Sequence, residues 1–453
     1  MLQHLIRAWI IAWFCISATA LTIPARRTDS SNTIRLSLTA ETATNTRSNR
    51  FHRRNQAHPY TIPLHDQHHV EYLANISVGT PSQYFMVSVD TGSADLWVPF
   101  TDCPQEQCPF TRFTSAKSST YRDLNITFEV QYGSGSASGK YATDVVSMGN
   151  ATIPKQQLGM VNDTDKIVPL GSYARTIALT GGLAPNGVMG FAFPGLTCVP
   201  KGTPSYNPFI FNLIQENLIS EPLFSLSFYD ALGSSNAELM MGGIDKSRYL
   251  GSISYVPVTQ LVGSYNPNEA YGYWMVNGQG VSIIDTFPNG TSLLHDQRFP
   301  YVRGIIFDTG TTLTYMDRDL ADSLMKNLNI DFHFDDDVGL YAVDCAIRNS
   351  TQQVEFQVSD RANISTTPVH IRINVRQLFL PSKPSTKDED ETCYFSIAAW
   401  PEDKSSSTIL LGNSLLRYLY LVFDMGNKRV GIATPPGVQG GIIIPTTLMS
   451  LFP

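Results

Sequence analysis

One tripeptide, Asp-Thr-Gly, occurs twice in this chain, at Asp90–Gly92 and at Asp308–Gly310. Each copy follows an apolar run and precedes a small hydroxyl residue. An apolar-apolar-Gly sequence then follows each copy and ends at Gly190, 100 residues after Asp90, and at Gly412, 104 residues after Asp308. A repeat with the same order and nearly equal spacing indicates two related lobes in one chain, each of which contributes one carboxylate.

The repeat also predicts a chemistry. A strand that delivers a carboxylate onto a tight glycine turn, twice, can bring two acids face to face. Two adjacent carboxyl groups cannot both ionise easily, so they share a proton, and one can act as a base while the other acts as an acid. One copy by itself would indicate only a strand-to-turn junction. The second copy favours Asp90 and Asp308 as a catalytic pair.

The residues around the repeat resemble those of the pepsin-like aspartic proteases, from about Tyr72 to about Ala433. The segments that carry the resemblance are Tyr72–Pro81, Val87–Pro99, Tyr132–Gly135, Gly187–Pro194, Tyr273–Trp274, Val422–Asp424 and Arg429–Ala433. The resemblance implies the bilobal fold of that family, with two pseudo-symmetric β lobes around a central cleft. It also implies a eukaryotic aspartic endopeptidase of a fungal secreted type, which hydrolyses peptide bonds at acidic pH.

The sequence pattern agrees with a mostly β chain that has a few short helices. Alternating apolar residues over Thr127–Tyr132 and Leu223–Tyr229 predict half-buried strands. Long helical periodicity is scarce, and the better helical candidates are short, near Pro208–Glu216 and Asp317–Leu328. We therefore expect an all-β fold class.

The resemblance assigns roles to residues beside the two acids. Gly92 and Gly310 would turn backbone N–H groups toward the carboxylates. Tyr132 would lie at the tip of a flap hairpin that closes over a bound peptide and would bond the indole of Trp97. The residues expected to bind substrate are Gly92, Tyr132, Gly133, Ser134, Gly310, Thr311 and Thr312. Those expected to support the acids are Thr91, Ser93, Trp97 and Thr309.

The first 20 residues predict a secretion signal. They hold one positive charge, at Arg7, and then an apolar run that ends in Ala18-Thr19-Ala20. The run is too short to span a bilayer, and its end is typical of a signal peptide cleaved near Ala20. No other stretch is long enough to cross a membrane, so we expect no membrane anchor. The expected location is extracellular, with the vacuole as the alternative.

The net charge of −7 hides two segments of opposite sign. Residues 21–54 carry seven arginines against two acidic residues, a net charge of +5, whereas residues 55–453 carry 24 basic and 37 acidic residues, a net charge of −13. An acidic body would repel phosphate, so no nucleic-acid partner is expected. We interpret the basic arm as a propeptide, processed at Arg53-Arg54; an uncleaved arm is the alternative. Family propeptides usually pair a lysine with the two acids, and the first lysine here is Lys117.

These interpretations divide the chain into six parts. In order, they are a signal peptide over 1–20, a basic propeptide over 21–54, a junction over 55–71, an N-terminal lobe over 72–250, a C-terminal lobe over 251–436 and a C-terminal extension over 437–453.

Secretion permits disulfide bonds. The resemblance implies one bridge between Cys103 and Cys108, and Cys345 and Cys393 would close a second loop. Cys198 is then left over, and we expect a free buried thiol there, with mixed pairing as the alternative. No group of cysteines or histidines has the spacing of metal ligands, so no metal or other cofactor is expected.

The expected partners are peptide or protein substrates in an extended conformation and the chain's own propeptide, and we expect a monomer. Seven Asn-x-Ser/Thr sequences are possible glycosylation sites, at Asn75, Asn125, Asn150, Asn162, Asn289, Asn349 and Asn363. Two other functions stay open at this point. One is an inactive relative that acts as a binding or inhibitor protein, and the other is a glycosidase with two carboxylates.

Overall fold

A computed structural model describes the chain over 59–67, 71–168, 183–228, 236–260, 271–287, 290–336, 339–380, 392–401, 406–438 and 440–443. The predicted signal peptide and basic propeptide lie outside these residues, and so does the glycosylation sequence at Asn289.

Strands dominate the described residues. In chain order they are β1 (Tyr60–Gln67), β2 (Glu71–Val78), β3 (Gln83–Asp90), β4 (Leu96–Pro99), β5 (Arg122–Gln131), β6 (Ser136–Met148), β7 (Ala151–Asp165), β8 (Val188–Gly190), β9 (Leu223–Phe228), β10 (Asn236–Met241), β11 (Leu250–Pro257), β12 (Met275–Phe287), β13 (Gly290–Phe307), β14 (Thr314–Met316), β15 (Phe332–Asp335), β16 (Leu340–Asp344), β17 (Gln352–Val358), β18 (Val369–Asn374), β19 (Thr392–Tyr394), β20 (Ile397–Ala399), β21 (Ile409–Leu411), β22 (Tyr420–Asp424), β23 (Arg429–Thr434) and β24 (Gly440–Ile443).

The α-helices in the described residues are short. They are α1 (Phe209–Gln215), α2 (Arg318–Asn327) and α3 (Asn413–Leu416). The first two confirm the helices predicted from sequence. Helix α2 begins after Asp317, whose carboxylate accepts the backbone N–H of Leu320 at 3.0 Å and so satisfies one of the free donors of the first turn. The mostly β fold class is confirmed.

The strands form a sheet of 13, a sheet of eight and a sheet of three. The largest has the order β11-β23-β22-β9-β10-β1-β2-β3-β8-β4-β7-β6-β5, and the second has the order β20-β14-β21-β13-β12-β17-β18-β24. Two strands from near the end of the chain, β22 and β23, therefore belong to the sheet that carries Asp90, since β22 pairs with β9. The two halves of the chain share a continuous sheet.

The two copies of the sequence repeat form the same kind of strand pair in the structure. β3 pairs in parallel with β8, which places Asp90 beside Gly190. β13 pairs in parallel with β21, which places Phe307, the residue before Asp308, beside Leu411. The matched spacings of 100 and 104 residues therefore bring each apolar-apolar-Gly strand next to the strand that delivers an acid.

Close packing explains the glycine in each of these strands. A Cβ atom added to Gly190 would lie 2.4 Å from the carbonyl carbon of Ala94, and one added to Gly412 would lie 2.2 Å from the carbonyl oxygen of Leu313. Both contacts are far shorter than any ordinary contact between such atoms. Each Asp-Thr-Gly turn thus folds back directly over a glycine.

Aromatic side chains join the two halves behind the cleft. The Trp274 ring lies 4.4 Å from that of Phe193, 5.0 Å from that of Phe423 and 5.8 Å from that of Phe224, measured between centroids. Its indole N–H donates to the carbonyl oxygen of Phe191 at 2.9 Å. Trp274 is fully buried, so its large apolar area stabilises the junction.

The two predicted disulfide bonds, Cys103–Cys108 and Cys345–Cys393, are present. The expectation of a free thiol at Cys198 is wrong, because Cys198 is disulfide-bonded and no described cysteine is free. The composition could not reveal this, since a count of cysteines does not say which of them approach each other.

Candidate active site

Asp90 and Asp308 lie face to face at the centre of the molecule. Asp90 is the last residue of β3, Asp308 follows β13 directly, and neither side chain is exposed to solvent. A Cβ atom placed on Gly92 would lie 2.5 Å from the carboxyl carbon of Asp308. The second acid therefore occupies the space that a side chain at Gly92 would need, which explains the glycine in the turn.

Each acid accepts the same two hydrogen bonds from its own turn. The backbone N–H of Gly92 donates to Asp90 Oδ1 at 2.7 Å, and that of Gly310 donates to Asp308 Oδ1 at 2.8 Å. The hydroxyl of Ser93 donates to Asp90 Oδ2. The hydroxyl of Thr311 donates to Asp308 Oδ2 at 2.7 Å. These bonds orient both carboxyl groups in the same way.

The two turns are also cross-linked to each other. Thr91 donates its hydroxyl to the carbonyl oxygen of Phe307 at 2.8 Å, and Thr309 donates to that of Val89 at 2.7 Å. The Thr91 hydroxyl also accepts the backbone N–H of Thr309 at 3.0 Å, and the Thr309 hydroxyl accepts the backbone N–H of Thr91 at 3.1 Å. Four hydrogen bonds therefore fix the position of one turn relative to the other.

Burial raises the pKa of Asp90, although its hydrogen bonds to Ser93 and Gly92 oppose the shift. Burial also raises the pKa of Asp308 well above its ordinary value, and the neighbouring charge of Asp90 raises it further. The pair therefore retains a proton over a wide pH range, as expected for two carboxyl groups in contact.

The Gly-rich sequence after Gln131 is the tip of the hairpin formed by β5 and β6. At this tip, Tyr132 is buried, and its phenol oxygen accepts the indole N–H of Trp97 at 2.7 Å. The hydroxyl of Ser134, also at the tip, is buried and makes no hydrogen bond within the described structure. The tip thus carries an unused polar group next to the cleft.

Some residues near the acids were missed by the sequence analysis. Tyr273 is one of them: burial raises its pKa, and the charges of Asp308 and Asp90 raise it further. Asn413 is another, because its buried side-chain amide donates to the carbonyl oxygen of Thr309 at 2.7 Å. Tyr273 was noted only as part of a family motif, and nothing local marks Asn413.

Two further buried acids, Glu71 and Asp95, have raised pKa values. Burial raises the pKa of Glu71 to about 8 and that of Asp95 to about 6. One carboxylate oxygen of Glu71 has no hydrogen-bond partner in the described structure. The local sequence does not indicate that either side chain is buried.

Over the described residues, no group of three or more His, Cys, Asp or Glu side chains is arranged to hold a metal ion. No helix in the described ranges combines the length and the apolar character needed to cross a membrane.

Two carboxyl groups on matched turns, in a mostly β chain whose halves repeat the same strand pairing, define an acid hydrolase of the aspartic type. Comparison with known proteins agrees: the family described as "Eukaryotic aspartyl protease" matches residues 71–435. The chain belongs to this family and is an aspartic endopeptidase.

Several characterised relatives match over similar lengths. Gastricsin of Rattus norvegicus is 30% identical over 373 residues, which cover 80% of this chain and 80% of gastricsin. Mucorpepsin of Rhizomucor miehei is 30% identical over 366 residues, 80% of this chain and 78% of its own. Vacuolar protease A of Aspergillus fumigatus is 29% identical over 366 residues, with coverages of 80% and 78%.

Proposed function

We propose that Asp90 and Asp308 are the catalytic acids of this endopeptidase and that they act at acidic pH through one shared proton. The observation that supports this most strongly is the matched hydrogen bonding of the two acids, each to its own Gly and hydroxyl residue. The cross-link through Thr91 and Thr309 holds the carboxyl groups in register before substrate arrives. Such preorganisation lowers the cost of aligning the reacting groups.

The reaction follows from the shared proton. A water molecule between the acids gives a proton to the ionised carboxylate as its oxygen attacks the carbonyl carbon of the peptide bond. The protonated carboxyl group gives its proton to the carbonyl oxygen, which produces a tetrahedral diol. The C–N bond then breaks as one hydroxyl of the diol gives its proton to the acid that is now ionised and the departing nitrogen takes up the proton held by the other acid. The two acids exchange roles during the cycle, so no other nucleophile is required.

The substrate is a peptide in extended conformation. The flap tip at Tyr132, Gly133 and Ser134 would cover it, and the buried hydroxyl of Ser134 is available to bond it. Gly310, Thr311 and Thr312 would line the opposite wall of the cleft. Main-chain hydrogen bonds would hold an extended peptide while its side chains enter alternate pockets.

The N-terminal segments suggest how activity is controlled. The basic segment over 21–54 would act as a propeptide over the acidic body, and release at low pH would follow protonation of carboxylates. Secretion is the proposed route because of the predicted signal peptide. A vacuolar destination is the alternative, and one relative is named vacuolar protease A.

The decisive experiment measures cleavage of denatured protein by the activated enzyme and by the variants Asp90→Asn and Asp308→Asn. We expect each variant to lose activity by at least about 10³-fold, because neither leaves a pair that can both accept and donate a proton. Asp331→Asn, at an exposed position, is the control and should keep full activity. Cleavage that persists in Asp308→Asn, with the same melting temperature, would refute the assignment.

A further inference from the structure

A third buried acid lies close to the catalytic turn and has no part in the reaction described above. The Asp95 side chain is 1% exposed. Its Oδ1 atom accepts the hydroxyl groups of Tyr141, at 2.7 Å, and Tyr206, at 2.8 Å. Its Oδ2 atom accepts the backbone N–H of Cys198, at 2.8 Å. No Lys or Arg in the described ranges forms an ion pair with it.

The three donors come from two segments of the chain. Tyr141 belongs to β6, the strand that leads away from the flap tip. Cys198 and Tyr206 belong to the connection between β8 and α1. Asp95 itself follows the first catalytic turn, and its carbonyl oxygen accepts the backbone N–H of Gly190 at 2.9 Å. One carboxyl group therefore joins the catalytic turn, the flap hairpin and the β8–α1 connection.

The same side chains form the base of the flap. Tyr141 packs edge-on against Phe128 of β5, with ring centroids 5.1 Å apart, and against Tyr206, at 5.7 Å. Trp97 and Tyr132 belong to the same apolar cluster as Tyr141. Because β5 and β6 are the two strands of the flap, Tyr141 and Tyr132 belong to the same hairpin.

The groups around Asp95 are suited to an ionised carboxylate. Tyr141, Tyr206 and, farther away, Tyr132 are the titratable groups near it. Burial and the charge of Asp95 raise the pKa of Tyr141 and Tyr206. Burial, the charge of Asp90 and, to a smaller extent, that of Asp95 raise the pKa of Tyr132. The three phenols therefore remain donors at any pH at which the enzyme works. Burial raises the pKa of Asp95 itself to about 6, while its three hydrogen bonds act in the opposite direction.

Protonation of Asp95 would disturb this arrangement. A carboxylic acid presents a hydrogen where the carboxylate presented only acceptors, and all three neighbours are donors. The two hydroxyl groups can rotate away, but the backbone N–H of Cys198 cannot. The connection between the three segments is therefore weaker when Asp95 is neutral.

We propose that Asp95 is a positioning residue for peptide binding, which fixes the base of the flap to the catalytic turn when ionised and releases it when protonated. The inference rests on the proposed function, since it assumes that the flap closes over a peptide. Asp95 is then a third ionising group beside the two acids of the catalytic pair. Its ionisation affects substrate binding and not the chemical step.

The test compares kcat and KM from pH 3 to pH 7 for the wild type and for Asp95→Asn. For the wild type, we expect KM to fall threefold to tenfold as pH rises through about 6. For Asp95→Asn, this step should disappear, KM should stay at the higher value, and kcat at pH 4 should change less than about threefold.

Two tyrosine variants distinguish a specific role from general damage. Tyr141→Phe and Tyr206→Phe each remove one hydrogen bond to the ionised acid, so the step in KM should move up by roughly 0.5 to 1 pH unit. Asp144→Asn is the matched control, because Asp144 is also 1% exposed. Its carboxylate accepts the hydroxyls of Ser118 and Thr120, which lie outside the apolar cluster of Tyr132 and Tyr141. The step in KM should therefore stay at the wild-type pH. A step that persists in Asp95→Asn, or that does not move in the tyrosine variants, overturns the proposal.

A second measurement separates this inference from the proposed function. Hydrogen exchange of residues 122–148, corrected for the intrinsic rate, should increase below pH 6 in the wild type and not in Asp95→Asn. If cleavage by the wild type does not depend on Asp308, the proposed function fails. Hydrogen exchange of residues 122–148 then still tests the role of Asp95. If cleavage depends on Asp308 but neither KM nor exchange responds to Asp95, only the present inference fails.

Discussion

At the scale of single residues, the site depends on pairs of identical groups related by the internal repeat. Thr91 and Thr309 show this most clearly, because each donates to a carbonyl oxygen of the opposite strand and accepts an N–H of the opposite turn. All of these groups are buried, so a lost partner leaves a polar atom without water as a substitute. The resemblance to a known family predicted this pair, and the structure shows its geometry.

Thr309→Val tests the cross-link directly. The change leaves the carbonyl oxygen of Val89 and the backbone N–H of Thr91 unpaired. We expect the free energy of unfolding to fall by about 2 to 4 kcal/mol, together with a large loss in kcat, because the two acids are no longer held in register. Denaturant unfolding and peptide cleavage measure the two effects.

Thr309→Ser is the matched control for that change, because it keeps the hydroxyl group and removes only a methyl group. It should keep most of the activity and most of the stability. If valine and serine had the same effect, the role of Thr309 would be one of packing and not of hydrogen bonding.

At the scale of elements, the parallel pairs β3–β8 and β13–β21 explain why the motifs recur with a fixed spacing. The predicted helices near Pro208–Glu216 and Asp317–Leu328 match α1 and α2, because strong local patterns define their ends. The final strand, β24, was not predicted. It pairs antiparallel with β18 and forms the edge of the eight-stranded sheet.

Deletion of residues 439–453 tests the contribution of β24. Without this strand, the backbone N–H and C=O groups of β18 that it pairs become a free sheet edge. We expect the melting temperature to fall by several degrees and self-association to increase, while kcat/KM at 25 °C stays within about twofold. Calorimetry and size-exclusion chromatography provide the measurements.

A shorter deletion that begins at residue 444 keeps β24 and is the control. If the two truncated chains have the same melting temperature, β24 does not stabilise the sheet.

At the scale of the whole molecule, buried acids couple folding to pH. Burial raises the pKa of Glu71 to about 8 and that of Asp95 to about 6, and it raises the pKa values of Asp90 and Asp308 as well. A group with a raised pKa in the folded state contributes stability that is complete below its unfolded pKa and is lost as pH rises through the folded pKa. The chain should therefore be most stable in acid.

Glu71→Gln tests this dependence. We expect wild-type stability to decrease from pH 4.5 to pH 8, and the variant should lose less over that range, by up to about 5 kcal/mol. Glu355→Gln provides the contrast. Burial alone would raise the pKa of Glu355, but His370 and Arg372 lower it overall.

The sign of the Glu355 effect is therefore the opposite. Its contribution is present above the unfolded pKa and is lost as pH falls, so Glu355→Gln should destabilise the chain most at neutral pH. Unfolding curves at pH 4.5 and pH 8 measure both variants. If Glu71→Gln and the wild type lost the same amount of unfolding free energy between these pH values, the raised pKa of Glu71 would not be the cause of the pH dependence.

The division into lobes also belongs to this scale. The proposed C-terminal lobe, 251–436, contains β22 and β23, which pair in the sheet that carries Asp90. Strand β22 lies almost 200 residues from its partner β9 in sequence, and no local pattern indicates such a pairing. A lobe boundary predicted from sequence therefore cannot include this pairing of β22 with β9. The proposed boundaries stay a prediction.

The sequence by itself determined the repeat, the pair of candidate acids and the mostly β class, because these depend on residue types at short or regular spacing. The assignment of Tyr132 to a flap followed from the resemblance to the family. The two disulfide bonds followed from the resemblance to the family. Only the tertiary structure decided that the two acids lie in contact, that Asp95 joins three segments and that Glu71 is buried with an unpaired oxygen. Those properties depend on which distant strands meet and on how much water they exclude. The two Asp-Thr-Gly turns are local in sequence, but the burial and contact of their two carboxyl groups are properties of the fold.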